Sequence, residues 1–510
     1  MRTIIKQHTL SLALSLAAVM SMSAAESGDS TLTILDRITA HRHHVGALLD
    51  LAWNNPAVKP FQHRYSLSSV KASFSVRDES EPLDVQRGDH ESIWAFDAES
   101  YMKHNNATLW GKAYYNNGYV GHMVWNETSD VGVVYPYVIA DSVGGKKLNL
   151  ERYSFMGGYA ASRGKWVYGA SLGYTAGLYY RNVDPRPRNV TASLNLGVGL
   201  GYSVLRKYVL AASLHFLKYK QTNEVSFYSE LGSDKLFHLT GFTSRYTRFD
   251  ALGTTCNYKG IRWSGTLDFH PVDQRGLSVS VAAGRMKLDN VLPDLNSLAM
   301  AQVTHNDVRA EVASMHQDWA VKVHVRAARR VGTENVFGDA SGAIYQQIGS
   351  LDQYFENGFS AGLSGLWQRF WAGYGMTVIP SLSYNHLNVV YVDPASRKLL
   401  NDLSCGLDLK ASAPWGRTRQ EVDLGVACIN PVKTEFFVSD TDVELSGLRR
   451  AIENQYAWQS KAQAVVKVGV SSHVALRRRQ ALNVAVDWLH GFFHNSIYSN
   501  YLSTSIAFEF

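Results

Sequence analysis

The sequence predicts an all-β fold, a transmembrane antiparallel β-barrel. Many segments alternate strictly between apolar and polar residues, which is typical of strands. Several apolar faces carry aromatic residues at both ends and aliphatic residues between, and charges lie opposite aliphatic rows. A bilayer explains this grading, because amphipathic rings favour its interfaces. An open sheet edge in hydrocarbon would leave backbone groups unpaired, so we expect the sheet to close on itself.

The first 25 residues have the features of a secretory signal peptide. Arg2 and Lys6 precede the apolar residues 10–20, and small residues precede a cleavage site at Ala25. The apolar run is too short for a membrane anchor. We therefore expect Sec-dependent export, cleavage near Ala25, and an integral protein of the outer membrane in a Gram-negative cell.

Residues 26–64 precede the first alternating segment. They read as a short helical or irregular segment that ends at Asn54-Asn55-Pro56. We expect them to lie in the periplasm or to enter the lumen as a small hatch. They are too few for the large folded plug of energised transporters, which disfavours energy-coupled uptake. Residues 65–510 form the barrel.

The clearest strand is "WVYGASLGYTAGLYY" at residues 166–180. Its apolar face includes Trp166, Leu172 and Tyr180, and its other face is made of glycine, serine and threonine. The same period of two recurs at residues 191–203, 319–327, 421–427, 479–488 and 501–510.

The final segment, "YLSTSIAFEF", alternates up to its last aromatic residue. We expect this strand to pair with the first one and close the ring. A terminal aromatic on an alternating strand resembles the end of bacterial outer-membrane barrels. That resemblance implies that Phe508 and Phe510 form an insertion signal read by the barrel-assembly machinery.

Connection lengths predict the number of strands. Short periplasmic and long outward connections should alternate, with long ones near residues 330–356 and 431–454. A count of segments gives roughly 19 strands. The readings from the two ends disagree by one strand between Thr222 and Gly276, where "CNYKGIRW" is either a hairpin or one bent strand. Termini on one side require an even number, so we predict about 18 strands within a range of 16 to 20.

Charged residues on the polar faces are candidate lumen groups. They could form rows that bias the passage of ions. The alternative is a salt-bridged interior without flow. The candidates are Lys322, His324, Arg326, Glu421, Asp423, Lys467 and Asp487.

Other motifs have weaker functional interpretations. "GASLG" matches a nucleophile elbow, but Ser171 lies in mid-strand where the required turn is missing. His41, His43 and His44 could bind a metal, although solvated histidines explain them as well. Arginines 477–479 could form a positive ring that binds lipid phosphates, constrict the pore or form a solvated rim. We expect no catalytic residue, cofactor or metal.

Charge and cysteine content exclude some protein classes. The net charge of +6 over 510 residues is too small to indicate nucleic-acid binding. The cysteines at 256, 405 and 428 are too few for a disulfide framework. Cys405 and Cys428 lie on apolar faces, where small buried hydrophobic residues are the simpler interpretation.

Two stretches resemble known families. Residues 113–161 with "WNETSD…YPYV…DSVGG", the upstream "WNNPAV" and the aromatic terminus resemble an outer-membrane β-barrel family of Bacteroidota whose function is unknown. "NNPA" before the first strand is also similar to long-chain fatty-acid-type outer-membrane channels. That likeness implies an N-terminal hatch and a lateral opening suited to hydrophobic substrates.

From these features we predict a porin-like passive channel or transporter for a small solute, hydrophobic or polar, gated by residues 30–64. One alternative is an anchoring barrel that holds a surface or secretion partner. A third is an outer-membrane hydrolase, although we expect no enzyme. The expected partners are outer-membrane lipid and lipopolysaccharide, the barrel-assembly machinery and a surface or periplasmic protein.

Overall fold

The computed structural model describes residues 32–510 except 42–45, 47, 206, 230–234, 251–253, 342–343, 440–441 and 478. The predicted signal peptide lies outside the described residues. Eighteen strands form one antiparallel sheet that closes on itself, which confirms the predicted fold class and the even strand number. None of the described helices has the length and hydrophobicity of a membrane-spanning helix.

The eighteen barrel strands follow one another around the ring in chain order, and three further short strands lie in the connections between them. Their bounds are β1 (Leu67–Glu79), β2 (His90–His104), β3 (Ala107–Met123), β4 (Val138–Ala140), β5 (Gly145–Arg163), β6 (Trp166–Tyr180), β7 (Arg186–Val204), β8 (Tyr208–Ser226), β9 (Phe237–Gly241), β10 (Ser244–Arg245), β11 (Thr255–Pro271), β12 (Gly276–Leu292), β13 (Leu298–Met315), β14 (Trp319–Ser341), β15 (Ile344–Trp371), β16 (Tyr374–Tyr391), β17 (Ser396–Trp415), β18 (Thr418–Val438), β19 (Gln463–Arg477), β20 (Gln480–Phe492) and β21 (Tyr498–Glu509). Strands β4, β9 and β10 form a separate small sheet, and β1 pairs with both β2 and β21.

The helical elements are not part of the barrel wall. The α-helices are α1 (Ile34–His41), α2 (Val131–Val134) and α3 (Ser446–Gln459), and the 3-10 turns are Ala52–Asn54, Lys59–Phe61, Thr247–Phe249, Pro293–Leu295, Val443–Leu445 and His494–Ser496. Helix α1 begins after a reciprocal cap between Thr33 and Asp36. The Asp36 amide donates to the Thr33 hydroxyl, and the Thr33 amide donates to the Asp36 carboxylate.

The outer face of the barrel is apolar. On β6, Trp166, Tyr168, Leu172 and Tyr174 are all exposed on the outside. Similar rows follow on β7 and β8, where Val198 and Leu214 are examples. So large an exposed apolar surface is unfavourable in water and favourable in hydrocarbon. The alternation predicted from the sequence therefore places its apolar side toward lipid.

Between β8 and β12, the disputed region contributes a single strand to the barrel wall. "CNYKGIRW" lies within β11, which pairs with β8 on one side and β12 on the other. The interpretation as a hairpin is therefore wrong, and the interpretation as one strand is confirmed. The connection from β8 to β11 carries β9 and β10 away from the wall, so the count of 19 was one too many.

The long loop predicted near residues 330–356 is also wrong. Strands β14 and β15 contain 23 and 28 residues, and they remain paired up to Ser341 and Ile344. At about 3.3 Å per residue, β15 is roughly 90 Å long, far more than the hydrocarbon thickness. The segment is therefore a hairpin that projects beyond the membrane.

The two mouths of the barrel differ. The end of β21 and the start of β1 lie at the mouth with the short turns, such as the one between β5 and β6. The long connections leave the opposite mouth. In bacterial barrels the short turns face the periplasm, so we name the two ends the periplasmic and extracellular mouths.

Candidate functional site

The described residues between 32 and 64 lie in the lumen at the periplasmic mouth, and we call them the plug. Hydrogen bonds attach the plug to three different strands or turns. The Tyr101 hydroxyl donates to the Lys59 carbonyl at 3.1 Å, and the Gln274 amide donates to the Phe61 carbonyl at 2.8 Å. The Leu51 amide donates to the Glu311 carboxylate at 3.1 Å. The plug therefore contacts the barrel interior across the lumen.

The "WNNPAV" motif anchors the plug. Asn55 is fully buried, and its amide nitrogen donates to the Asp268 carboxylate at 2.8 Å. The Asn55 side-chain oxygen accepts from the Ala57 amide at 2.9 Å. The Trp53 indole donates to the Gly46 carbonyl at 2.9 Å. The hydrogen bonds of this motif therefore stabilise its own turn and attach it to the Asp268 carboxylate of the wall.

Two glycines of the wall leave room for this turn. A Cβ at Gly169 of β6 would overlap the Pro56 carbonyl carbon and lie 2.7 Å from the Ala57 nitrogen. A Cβ at Gly199 of β7 would lie 2.9 Å from the same nitrogen. Real Cβ atoms do not approach backbone so closely. The glycine-rich polar faces of β6 and β7 are thus shaped to the plug backbone, which sequence reasoning treated only as small lumen residues.

Three small apolar clusters complete the docking of the plug. They involve leucines, isoleucines and small residues of the plug against alanines, valines and a methionine near the periplasmic turns. The clusters are Leu48 and Leu49 with Ala313, Met315, Ala320 and Leu366, then Ala52, Ala57 and Val58 with Val167, Val209 and Ala211, and finally Ile34 and Ile38 with Ala481. Each cluster is small, and Trp53 of the plug packs against the first two, so the plug has no single large core.

The plug does not fill the periplasmic mouth. A cavity of about 1090 Å³ lies beside it. Asp36 and Asp50 line the cavity from the plug, and Lys410, Arg419 and Asp423 line it from β17 and β18. A partly open space with charged, polar and apolar lining residues therefore separates the plug from this part of the wall.

A second cavity of about 340 Å³ also lies against the plug. It is lined by Ser171, His215, Arg262, Asp307 and Arg309, among others. Asp307 pairs with Arg262 at 2.5 Å and with Arg309 at 3.4 Å, so one carboxylate faces two guanidinium groups. Ser171 lies in the middle of β6, as predicted, which removes the strand-to-helix turn of a nucleophile elbow.

Three of the predicted lumen charges have ion-pair partners. Lys322 lies 3.6 Å from Asp50 of the plug. Asp423 lies 3.7 Å from Lys410, and Glu421 lies 3.6 Å from Arg419. The sequence places these groups on the correct face, but it does not reveal that a plug carboxylate meets one of them.

The other four have no ion-pair partner among the described residues. Of these, Arg326 is exposed within the lumen, whereas His324, Lys467 and Asp487 are half-buried. The interior thus combines paired charges beside the plug with unpaired ones elsewhere. Their role in solute passage stays a prediction.

The extracellular half of the lumen is filled by the described parts of connections 124–144, 227–254 and 439–462, which we call the cap. The small sheet of β4, β9 and β10 is part of it. Buried cap residues such as Tyr137, Ile139 and Phe249 pack against Tyr258 and Met300 of the wall. The Tyr258 hydroxyl also donates to the Tyr137 carbonyl at 3.0 Å. The cap is a true folded core inside the barrel.

The "NETSD…DSVGG" motif attaches the cap to the wall. Arg181 pairs with Glu127 at 2.6 Å, and both side chains are buried. The amides of Asn189 and Asn223 donate to the Glu127 carbonyl at 2.9 and 2.6 Å. Burial raises the pKa of the Glu127 carboxyl well above its usual range, and the Arg181 guanidinium opposes that rise. The motif on which the resemblance to a family of unknown function rests therefore attaches the cap that closes the lumen.

The remaining predicted groups lie near the periplasmic mouth. His41 is not simply solvated, because it stacks on His63 at 4.1 Å. His43 and His44 lie outside the described residues. In the part of the chain that the structure describes, no group of three or more His, Cys, Asp or Glu could hold a metal. Arg477 and Arg479 flank the turn between β19 and β20, and residue 478 is outside the description.

The cysteines occupy two environments. Cys256 is buried beneath the cap. Cys405 is exposed and lies directly opposite the half-buried Cys428 on the outer face of β17 and β18. The expectation that this pair is buried in a protein core is therefore wrong, because the apolar side of these strands faces lipid.

Comparisons with known proteins complete the description. A model described as a family of unknown function matches residues 56–510. No curated protein matches the sequence. Among solved structures, the chain is similar to a mutant of the ferric enterobactin receptor PfeA from Pseudomonas aeruginosa, with 7% identity over 88% of this chain and 81% of that chain, at a TM-score of 0.38. It is similar to a bacterial polysaccharide outer membrane secretin, with 10% identity, coverages of 87% and 98%, and a TM-score of 0.36. It is also similar to the copper transporter OprC, with 9% identity over 88% of this chain and 81% of that chain, at a TM-score of 0.38.

Proposed function

The chain belongs to DUF6850, a family of unknown function, and from the arrangement of its lumen we propose that it is a gated outer-membrane channel for a small solute. One observation carries this proposal. The plug lies beside a cavity of about 1090 Å³ and is held by three small apolar clusters. A segment held in this way can leave the lumen or shift within it.

The energetics of docking support a movable plug. Fully burying a leucine or isoleucine contributes about 1.5–3 kcal/mol. Ordering each backbone residue costs about 1–2 kcal/mol. The plug has few large buried apolar side chains, among them Leu49, Ile34 and Ile38. The apolar contribution to docking of the plug is therefore small, unlike that of the cap, which has a larger core.

Passage would require movement at both mouths, with the plug as the weaker closure. The unpaired lumen charges, including Arg326 and Lys467, would then line the opened path and bias the ions that cross it. The solute is small and is either hydrophobic or polar. The resemblance to fatty-acid-type channels stays a prediction, as does the absence of enzyme activity.

A second candidate is an anchoring barrel. The observation that favours it is the projecting hairpin of β14 and β15, on which Ile344, Ile348 and Leu351 are exposed beyond the membrane. A protein partner on the cell surface would cover them. A hydrolase has less support, since no hydrogen bond joins Ser171 to His215 among the described residues. The described hydrogen bond of the His215 ring is to Ser213.

Single-channel conductance in a planar bilayer tests the proposal. The mature protein should show rare, brief openings, and a variant that lacks residues 26–64, in which only the cap still closes the lumen, should open at least tenfold more often. Equal steady conductance in both would mean an open porin without a plug gate. Silence in both, with folding verified by heat modifiability, would favour the anchoring barrel.

A further inference from the structure

A cluster of basic residues lies on the outer face of three neighbouring strands, β8, β11 and β12. All five side chains are exposed, and all point away from the lumen. They are Lys218, Lys220, Lys259, Arg285 and Lys287. We call this surface the basic patch.

Strand register brings these residues together. Lys220 lies directly opposite Lys259. One row toward the periplasm, Lys218 and Lys287 lie on either side of Ile261. Successive residues on one face are about 6.7 Å apart along a strand. The five charges therefore occupy three consecutive rows of a compact surface.

The next row on the periplasmic side marks the membrane interface. It contains Phe216 and Trp263, whose rings are 4.7 Å apart, beside Arg285. At the far end of the apolar band, Tyr208 stacks on Phe269 at 4.6 Å. The aromatic residues at the two ends are separated by eight residue steps on β8 and by six on β11, about 20–27 Å along the strands and about 15–20 Å in height at the usual tilt. The basic patch therefore lies at the headgroup level of the extracellular leaflet.

The patch lacks neutralising partners. Among the described residues, no ion pair involves any of its five members. Like charges directly opposite each other are destabilising in a sheet, which applies to Lys220 and Lys259. Asp289 is the nearest acid by register, opposite Lys259, and it accepts a hydrogen bond from Gln302 at 2.7 Å. The patch retains a net positive charge.

Neighbouring strands lack this charge at the same level. On β7, Leu194 and Ala192 lie opposite Lys218 and Lys220. On β13, Thr304 lies opposite Lys287. On β14, Arg329 lies in the same row as Arg285, with Asn306 between them, and its guanidinium covers the Phe355 ring. The five residues of the basic patch are therefore a local concentration of charge on three adjacent strands.

We infer that the basic patch binds the phosphate groups of lipopolysaccharide in the extracellular leaflet. Lysine ammonium groups bind phosphate as point charges. The lipid's acyl chains would cover the exposed Leu214, Trp263 and Leu267 directly below. A soluble anion would not gain these apolar contacts. The inference goes beyond the proposed channel function and does not depend on it.

Lipid A with and without its phosphates tests the inference on the unaltered full-length protein in detergent. Binding of phosphorylated lipid A should be at least tenfold tighter than binding of dephosphorylated lipid A. The difference should shrink as ionic strength rises, because salt screens exposed charges. Equal affinity for both lipids would overturn the inference, whatever the variants show.

A charge-neutral variant provides the second arm. Lys218→Gln, Lys220→Gln, Lys259→Gln and Lys287→Gln in combination should lower the affinity for phosphorylated lipid A at least tenfold and leave that for dephosphorylated lipid A unchanged. Heat-modifiable migration verifies folding. Wild-type affinity in the folded variant would contradict the inference.

The matched control removes lysines at the opposite mouth. Lys165→Gln with Lys207→Gln changes two exposed residues at periplasmic turns. This variant should bind phosphorylated lipid A like the unaltered protein. An equal loss in the control would mean that overall charge, and not the patch, determines binding.

Discussion

Glu127 and Arg181 form an ion pair of 2.6 Å between the cap and the barrel wall, with side chains that are 0% and 2% exposed. Arg181 also donates to the Pro185 carbonyl at 2.7 Å. A buried pair of this kind is costly to break, because the remaining charge is left without a partner. This buried ion pair therefore adds a polar attachment to the apolar core that holds the cap.

Arg181→Met should loosen the cap. Removing one partner of a buried ion pair costs about 3–5 kcal/mol. Connection 124–144 should then be cleaved by added protease much faster in the variant, by at least tenfold, while the barrel strands stay protected. Mass spectrometry of the fragments from protein in liposomes measures this rate.

Arg186→Met is the matched control for the cap. Arg186 pairs with Asp184 at the same distance of 2.6 Å, but its side chain is 38% exposed. Such surface pairs contribute about 0–1 kcal/mol. If both variants were cleaved at the same rate, burial of the Glu127–Arg181 pair would not be what holds the cap.

Gly169→Ala should displace the plug. The added methyl would overlap the Pro56 carbonyl carbon, and backbone cannot yield as a flexible side chain can. We expect channel openings to become at least tenfold more frequent in a planar bilayer. Gly173→Ala on the same strand is the control, since its Cβ would meet Asn195 at an ordinary 3.7 Å. Unaltered gating in Gly169→Ala would argue against the plug as a gate.

Acid should release the plug. Burial, with added repulsion from His41, Lys59 and Lys103, lowers the pKa of His63 from 6.5 to about 3. Between these values the released plug binds a proton that the docked plug does not. Docking is therefore strongest above pH 6.5 and weakens as the pH falls toward 3. After correction for the slower intrinsic exchange of amides in acid, deuterium uptake by residues 48–62 should be several-fold faster at pH 4.5 than at pH 7.5.

His63→Phe tests the source of this pH dependence. Phenylalanine keeps a ring beside His41 and Tyr101 and cannot be protonated. The increase in uptake at pH 4.5 should become smaller. An increase equal to that of the unaltered protein would assign the effect to other groups.

Deletion of Phe510 should impair assembly. Its amide donates to the Ser68 carbonyl and its carbonyl accepts from the Ser68 amide, both at 2.9 Å. In the membrane, unpaired backbone groups cost several kcal/mol each. The yield of heat-modifiable barrel in the membrane should fall by more than half.

Phe510→Ala separates the ring from the backbone. This variant can keep both hydrogen bonds to Ser68 but loses the aromatic side chain that we predict the assembly machinery reads. A loss in the deletion alone would assign the effect to strand pairing, and a loss in both would assign it to the ring. Normal yield of the deletion variant would contradict the role of the terminal strand.

The barrel itself could be predicted because alternation is a local property. Between Trp166 and Tyr180, the polarity of each residue indicates which side of the sheet its side chain faces. The strand ends were harder to predict. β14 and β15 pair far beyond the bilayer, where lipid no longer imposes an apolar face, so their outer halves resembled a loop.

The two closures could not be predicted in the same way. The plug depends on Gly169 and Asp268, which are distant in sequence from Asn55, and the cap depends on Arg181 and Glu127. Such contacts arise only when the ring is closed. Sequence signals existed in the quoted motifs and the lumen glycines, but a pattern of period two does not show which partner each group meets.

The plug and the cap are two independent closures in series, so a continuous path through the lumen exists only while both are open. If each end were open about 1% of the time, as minor states commonly are, both would be open together only about 0.01% of the time. A solute bound between them could cross in two steps, while molecules that do not bind would rarely meet a continuous path. The cell could thus keep such a wide barrel in its envelope with little leakage of toxic compounds.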